Sequence, residues 1–268
     1  MKINGKRVLI TGGSSGIGLA LARALLLKGA HVAISGRRPD VVAEAVRTLH
    51  PISAAVHGIA ADVATDEGRA ATLDLALSAL GGLDMLVNNA GGVRAGRLET
   101  IDETELLAMI DVGLIAPILL TRAALPALRA SGDAVVVNVS SGIALVGAPF
   151  YATYAAVKAG LAHFGEALRR ELKGEGVHVL TVYPGGTDTP MMRTNRAGAE
   201  LGFSREPASA VAEAIVEAIE AGRHDVVRGG EARLQMIALN RADPTALDER
   251  FAGLKPALED AVRDHSAL

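Results

Sequence analysis

The sequence predicts an α/β fold of the doubly wound kind: a parallel sheet of about seven strands with helices on both faces. Two observations carry this. Short aliphatic and β-branched runs alternate with segments of helical apolar period, at the spacing of repeated βαβ units. A glycine-rich turn, TGGSSGIG, joins the first such run to the first helical one, where ligands of open α/β sheets bind, at the carboxyl ends of strands.

The elements follow in order. RVLIT (7–11) is a short apolar strand, and the helical run LALARALLLKGA follows the glycine turn. HVAIS (31–35) is the second strand, after which GRRPD turns into a helix through His50. A third strand is expected at 58–63 and a helix at 66–80. LDMLVNNAGG (83–92) runs from a strand into a second glycine turn. A long helix is expected over 103–130, with Pro117 and Pro126 as bends, because proline lacks the backbone donor. VVVNV (135–139) is almost wholly apolar and reads as a buried strand. From Tyr151 the apolar period turns helical through Ala155, Leu161, Phe164 and Leu168. VHVLTVYPGG (177–186) is a sixth strand, 207–222 a helix, and HDVVRGG a last strand. Between them, 190–206 breaks into a polar, Arg-containing stretch with glycines at 198 and 202, the expected substrate lid. The tail, 242–268, is helical and amphipathic. No fixed-period repeat or low-complexity linker interrupts the chain, so 1–268 is expected to form one domain.

Composition narrows the function. The chain has 268 residues, half of them apolar, and a net charge of −3 with no long Lys/Arg run, which argues against a nucleic-acid surface. There is no cysteine, so neither a disulfide nor a thiolate metal site is possible. The seven histidines show no metal-ligand spacing, and no metal is expected. The apolar run in MKINGKRVLI is too short for a signal peptide, and no segment reads as an uninterrupted membrane helix. A soluble cytoplasmic protein acting on a small molecule is the expectation.

The chemistry lies in three places. Gly12, Gly16 and Gly18 sit between a strand and a helix N-terminus, where glycine lets the backbone approach a pyrophosphate and free N–H groups bind the anion. At the end of the second strand an acidic residue would bind a free ribose 2′-hydroxyl. Arg37 and Arg38 stand there instead, and arginine suits a 2′-phosphate through forked, charge-assisted bonds. NADP(H) is therefore expected, against the plainer alternative of two solvated arginines. Finally, Tyr154 and Lys158 fall four residues apart on one helical face, downstream of the hydroxyl pair Ser140 and Ser141. Tyrosine is a poor base with a pKa of about 10. A nearby ammonium is expected to lower that value, while a serine hydroxyl holds a substrate oxygen.

TGGSSGIG, NNAG (88–91), Ser141 thirteen positions before Tyr154, YAAVK (154–158) and PGGTDT (184–189) occur in that order. On these motifs the chain resembles the short-chain dehydrogenase/reductase family, in its small single-domain subclass, over about residues 5–230. The resemblance implies a Rossmann fold binding NAD(P), reversible hydride transfer between that cofactor and a carbonyl/alcohol pair, and a homodimer or homotetramer pairing through the two long helices. It implies that Gly12, Gly16 and Gly18 form the pyrophosphate turn, with Ser14, Ser15 and Ile17 beside it. Asp62 and Val63 would flank the adenine, and Asn89, Ala90 and Gly91 would line the cofactor. Pro184, Gly185, Thr187 and Thr189 would meet the nicotinamide end. Ser141 would orient substrate, Tyr154 would be the acid/base, and Lys158 would hold the nicotinamide ribose and lower the tyrosine's pKa. Ser140 is one position too far from Tyr154 for the serine's role.

One position departs from the pattern. The family usually has Asn where this chain has Gly113, in a region thought to hold a water linking the lysine to solvent. Glycine removes the carboxamide and weakens a helix by about 1 kcal/mol. Either a water and the Gly113 carbonyl keep a slower proton relay, or the chain binds NADP without turnover as a regulatory or scaffold protein. The intact Ser, Tyr and Lys favour the first, and Gly113→Asn is then expected to raise the rate. An epimerase or dehydratase of the longer relatives is disfavoured by length and glycine spacing. Ile143, Val146, Phe150, Met191 and Met192 are expected around an apolar substrate. Arg94 and Arg97 either meet an acidic substrate or are solvated loop charges, and His163 is expected to be a packing or interface residue.

Overall fold

The structure, a computed structural model, describes residues 1–268. In chain order, β1 (Arg7–Thr11) leads into α1 (Gly16–Leu27), β2 (His31–Gly36) into α2 (Pro39–Leu49), and β3 (Val56–Ala60) into α3 (Asp66–Leu80). β4 (Met85–Asn88) and a two-residue β5 (Val93–Arg94) precede α4 (Glu103–Ile110) and α5 (Ala116–Ser131). β6 (Ala134–Val139), α6 (Ala152–Glu171) and β7 (Val177–Tyr183) follow. β8 (Gly186–Asp188) and β9 (Arg205–Pro207) flank the 190–206 stretch, and α7 (Ala208–Glu220) then leads to β10 (Asp225–Val227). The tail forms α8 (Gly230–Ala242), α9 (Pro244–Val262) and β11 (Ser266–Ala267).

The main sheet is parallel, in the order β10-β7-β6-β4-β1-β2-β3. The chain winds outward from β1 in one direction and from β4 in the other, so the crevice at their carboxyl ends is the topological switch point. β4 and β6 are buried along their whole length, as their unbroken apolar runs require of central parallel strands. Leu21 and Leu25 of α1 and Ile215 and Ile219 of α7 fill one face of the sheet. Leu73 of α3, Leu120 and Leu128 of α5 and Leu168 of α6 fill the other. Local signals set the helix ends. Thr65 caps α3 by accepting from the Gly68 N–H at 3.0 Å, and Gly81, at φ 71°, ends it in the left-handed region.

The structure departs from expectation in four places. β3 begins two residues before the expected strand and ends at Ala60, because Val56 and Ile59 are the residues that face the core, and Asp62 lies beyond the sheet. The long helix is interrupted by a π-helical turn at Asp111–Ile115, in which the Ala116 N–H donates to the Asp111 carbonyl five residues back. Pro117 supplies the reason, since it has no N–H to offer the Gly113 carbonyl; Pro126 is carried inside α5 without a break. Third, the segment Glu103–Ser131 is long and apolar enough to cross a bilayer, with a mean hydropathy of 1.8 in its most apolar window. That corrects the expectation that no segment reaches such a length. Here Leu120, Ala124 and Leu128 pack on the sheet while Leu107 and Ile115 are exposed. Last, the tail is more than an amphipathic helix. β11 pairs antiparallel with β5, and Leu258, Ala261 and Val262 pack with Val93, Phe150 and Tyr151.

Candidate active site

The switch point is built from two glycine turns that fit each other. Gly12 (φ 63°) and Gly16 (φ 54°) adopt conformations that side chains rarely tolerate. A Cβ on Gly12 would lie 2.9 Å from Ala90 Cα, and one on Gly18 only 2.5 Å from Asn89 Nδ2. Asn89 Nδ2 donates to the carbonyls of Thr11 (2.9 Å) and Gly12 (3.0 Å). The Thr11 hydroxyl accepts from the N–H groups of Asn89 (3.0 Å) and Ala90 (3.1 Å). α1 starts at Gly16 with no side chain capping its first turn, so its free N–H groups and positive end stand at the cavity, a fit for a pyrophosphate.

Ser141, Tyr154 and Lys158 border the same cavity. Ser141 stands just beyond the end of β6, and its hydroxyl accepts from the Ile143 N–H at 3.3 Å. Ser140 is turned away: its hydroxyl donates to the Lys158 carbonyl at 2.7 Å, bracing α6 against β6. Lys158 is buried, donates to the Val139 carbonyl at 3.0 Å, and has its Nζ 5.8 Å from the centre of the Tyr154 ring.

The electrostatics reverse one expectation. Burial pushes the Tyr154 hydroxyl up to about 12, and a hydrogen bond from Ser141 only partly offsets it. Burial likewise pushes Lys158 down to about 8. Loss of water dominates both groups, so the tyrosine stands above its ordinary value instead of below it as expected.

The family described as short chain dehydrogenase matches residues 6–200. The chain belongs to the short-chain dehydrogenase family. It is 30% identical to a ketoacyl reductase of Nostoc sp., over 93% of this chain and 89% of that protein. It is 37% identical to a 3-dehydrosphinganine reductase of Arabidopsis thaliana, over 69% of this chain and 56% of that protein. Among solved structures, a short-chain dehydrogenase/reductase of Burkholderia phymatum in complex with NAD superimposes with a TM-score of 0.83 at 25% identity, covering 92% of this chain and 96% of that one. A 3-ketoacyl-(acyl-carrier-protein) reductase of Brucella melitensis complexed with NADH gives 0.77 at 26% identity, covering 84% and 96%. As a short-chain dehydrogenase this chain is an oxidoreductase of small molecules, and the glycine cradle at its switch point fits the nicotinamide dinucleotide that the family binds.

Within this short-chain dehydrogenase, Gly113 has a local cause. A Cβ there would lie 2.5 Å from Val157 Cγ1. Val157, inside the YAAVK motif, fills the space that an Asn at 113 needs. Glycine is therefore the complement of a bulky neighbour, and the expected gain from Gly113→Asn is withdrawn.

The cavity gathers Gly12, Ser15, Gly16, Ile17, Asn89, Ala90 and Gly91 on one side. Pro184, Gly185, Thr187 and Thr189 border it on the other. Ser14, Gly18, Arg37, Arg38, Asp62 and Val63 lie outside its wall. Ser14 packs beside Gly36, and Gly18 under Asn89. Asp62 accepts from the Ala64 N–H at 3.0 Å, and Val63 is buried. Arg37 and Arg38 are exposed beyond β2. Ile143, Val146, Met191 and Met192 line the cavity, whereas Phe150 packs into the tail cluster instead. Arg97 and Arg94 are engaged with Glu259 (2.8 Å) and Glu105 (3.3 Å) rather than turned to substrate. His163 is exposed, 3.4 Å from Glu166, so it is not a core packing residue of the chain.

Sequence reasoning missed the tail's share of the wall: Arg233, Met236, Phe251 and His265. His265 Nε2 donates to the Met191 carbonyl at 3.1 Å, so its Nδ1 accepts from the Tyr151 hydroxyl at 2.8 Å. Asn195 Nδ2 donates to the same hydroxyl at 2.9 Å. Three distant segments thus meet on buried hydrogen bonds, and no motif marks any of them.

Proposed function

We propose that this short-chain dehydrogenase transfers a hydride between NADP(H) and a carbonyl/alcohol substrate with an apolar body, reduction being the favoured direction. The convergence of Ser141, Tyr154 and Lys158 on the cavity that the glycine cradle borders carries the proposal. Gly12, Ser15, Gly16 and Ile17 hold the pyrophosphate, with Ser14 and Gly18 shaping the turn behind them. Asp62, Val63 and the 89–91 turn hold the adenine side and the ribose. Pro184, Gly185, Thr187 and Thr189 hold the nicotinamide end. Arg37 and Arg38, exposed and without a carboxylate in the ion-pair network, suit a 2′-phosphate. When bound, the nicotinamide supplies or accepts the hydride.

The chain's own residues handle the oxygen. Ser141 donates to the carbonyl oxygen and orients it. Tyr154, held protonated by its raised pKa of about 12, gives its proton to that oxygen as charge develops there. Lys158, charged below about pH 8, holds the cofactor ribose and places positive charge near the phenolate that results. The apolar wall of Ile143, Val146, Met191 and Met192 excludes water and accommodates the substrate body. A homodimer or homotetramer pairing through α4, α5 and α6 accounts for the exposed Leu107 and Ile115, and a cytoplasmic location goes with this role.

The test is oxidation of NADPH and NADH by a panel of ketones, aldehydes and quinones, with Arg37→Ala and Arg38→Ala alongside. Turnover with NADPH preferred, and that preference lost in the arginine variants, is the expected result. Equal or tighter binding of NADH by the wild type would remove the NADP(H) assignment.

A further inference from the structure

Around the cavity, nearly every arginine has an acceptor. Arg228 pairs with Glu206, Arg196 with Asp260 and Asp264, Arg97 with Glu259 and Arg94 with Glu105. Arg205 donates to the Asn195 carbonyl at 2.6 Å. Arg233 is different. It projects from the first turn of α8 into the cavity wall, half-buried, and takes part in no ion pair or side-chain hydrogen bond within the chain. Loss of water depresses its pKa and no carboxylate counters this. The nearby Glu231 is exposed and accepts from Gln235 at 3.2 Å.

Its position is adjacent to the reacting centre. A Cβ built on Gly142, the residue after Ser141, would lie 3.3 Å from both Cζ and Nε of Arg233. No Asp or Glu lines the cavity, whose only basic side chains besides His265 are Lys158 and Arg233. A guanidinium withdrawn from water without a counter-ion is costly, and the first turn of a helix is where its dipole favours a cation least. An anion entering the cavity removes both penalties. Met236, one turn further along α8, and Phe251 of α9 line the same cavity and add apolar surface to its wall.

Resting on the proposed carbonyl chemistry of this site, we propose that the substrate is amphiphilic, an apolar ketone or aldehyde ending in an oxyanion (carboxylate or phosphate) that Arg233 binds beside Ser141. The forked guanidinium donates two parallel bonds to two oxygens of that group. The anion fixes which end of the substrate enters first, so Arg233 is a specificity determinant and takes no part in proton or hydride transfer.

The experiment compares matched pairs: an apolar keto acid with its methyl ester, and a keto phosphate with its uncharged alcohol, on wild type, Arg233→Gln and Arg233→Lys. Two readouts are taken on each: kcat/KM, and binding of the same ketones by calorimetry to the protein loaded with NADP⁺, which cannot reduce them. The wild type is expected to favour the charged member by about 10- to 100-fold, the range of a charge-assisted hydrogen bond. Arg233→Gln erases that preference through KM, leaves the neutral member within about twofold, and leaves NADPH affinity unchanged. Arg233→Lys restores part of it. The pair with the larger wild-type preference identifies carboxylate or phosphate. Equal losses on charged and neutral members, or no preference in the wild type, would overturn the proposal. Weakened NADPH binding in Arg233→Gln would also overturn it, by giving the guanidinium to a cofactor phosphate. If nothing turns over but the charged ketones still bind and lose affinity in Arg233→Gln, the anion site stands and the carbonyl chemistry falls.

Discussion

A Cβ on Gly113 and Cγ1 of Val157 would be 2.5 Å apart, so the π-helical turn before α5 and the motif helix α6 share one volume that only one side chain can occupy. Adding a side chain at 113 forces Val157 or the helix to move, at about 1–3 kcal/mol for an overpacked site. Gly113→Asn is therefore expected to lower both stability and turnover. Gly113→Asn with Val157→Ala should recover most of the loss, a coupling that denaturant titration and kcat measured on all four proteins of the cycle will read. Additive losses would contradict the shared-volume account.

Lys158 gives the site a pH signature. Its pKa is pushed down to about 8, and the roles proposed for it, holding the cofactor ribose and facing the phenolate, use its charged form. Reduction is expected to decline as pH rises through about 8, while Tyr154, near 12, stays protonated throughout. In Lys158→Ala the residual rate should be low and lack that inflection. A profile rising through pH 8 in the wild type would contradict the assigned roles.

The Asp84 carboxylate anchors the start of the first strand. Burial pushes its pKa up, but hydrogen bonds from the Arg7 side chain (2.8 and 2.9 Å), the Arg7 N–H (2.8 Å) and Ser131 (2.6 Å) outweigh this and hold it well below the usual carboxylate range. A depressed carboxyl stabilises the fold above its unfolded value near 3.8, and that stability is lost as pH falls toward the folded value. Asp84→Asn should cost about 3 kcal/mol at neutral pH. The difference from wild type should shrink below pH 4, by urea titration at each pH.

The hydrogen bond between Tyr151 and His265 (2.8 Å) joins the head of α6 to the tail, and Asn195 joins the 190–206 stretch to both. Burial pushes the His265 pKa down, so the ring is neutral at pH 7. His265→Ala is expected to raise KM about fivefold, the effect of one lost hydrogen bond of about 1 kcal/mol, with kcat less affected. Steady-state kinetics check this, and a change confined to kcat would contradict a role for His265 in holding the 190–206 stretch over the cavity.

Much of this was legible in the sequence because it is local. The glycines of TGGSSGIG, the unbroken apolar runs of β4 and β6, and the four-residue step from Tyr154 to Lys158 each carry their own geometry. What escaped depends on contacts far apart in the chain. Gly113 reads as a defect until Val157 is seen against it. Arg97 reads as a free charge until α9 brings Glu259 back to it. His265 and Arg233 have no local signature, because only the return of the tail over the sheet's carboxyl edge brings them to the cavity. The direction of the Tyr154 pKa was missed for the same reason: sequence places the lysine one turn away but not the burial that outweighs it.

The most direct test of the central claim is NADPH oxidation with the best ketone of the panel, in wild type and Tyr154→Phe, with NADPH affinity measured for both. Loss of turnover by at least about a hundredfold, with cofactor affinity retained, is the predicted result. Turnover that survives in Tyr154→Phe would contradict the assignment of this tyrosine as the proton donor.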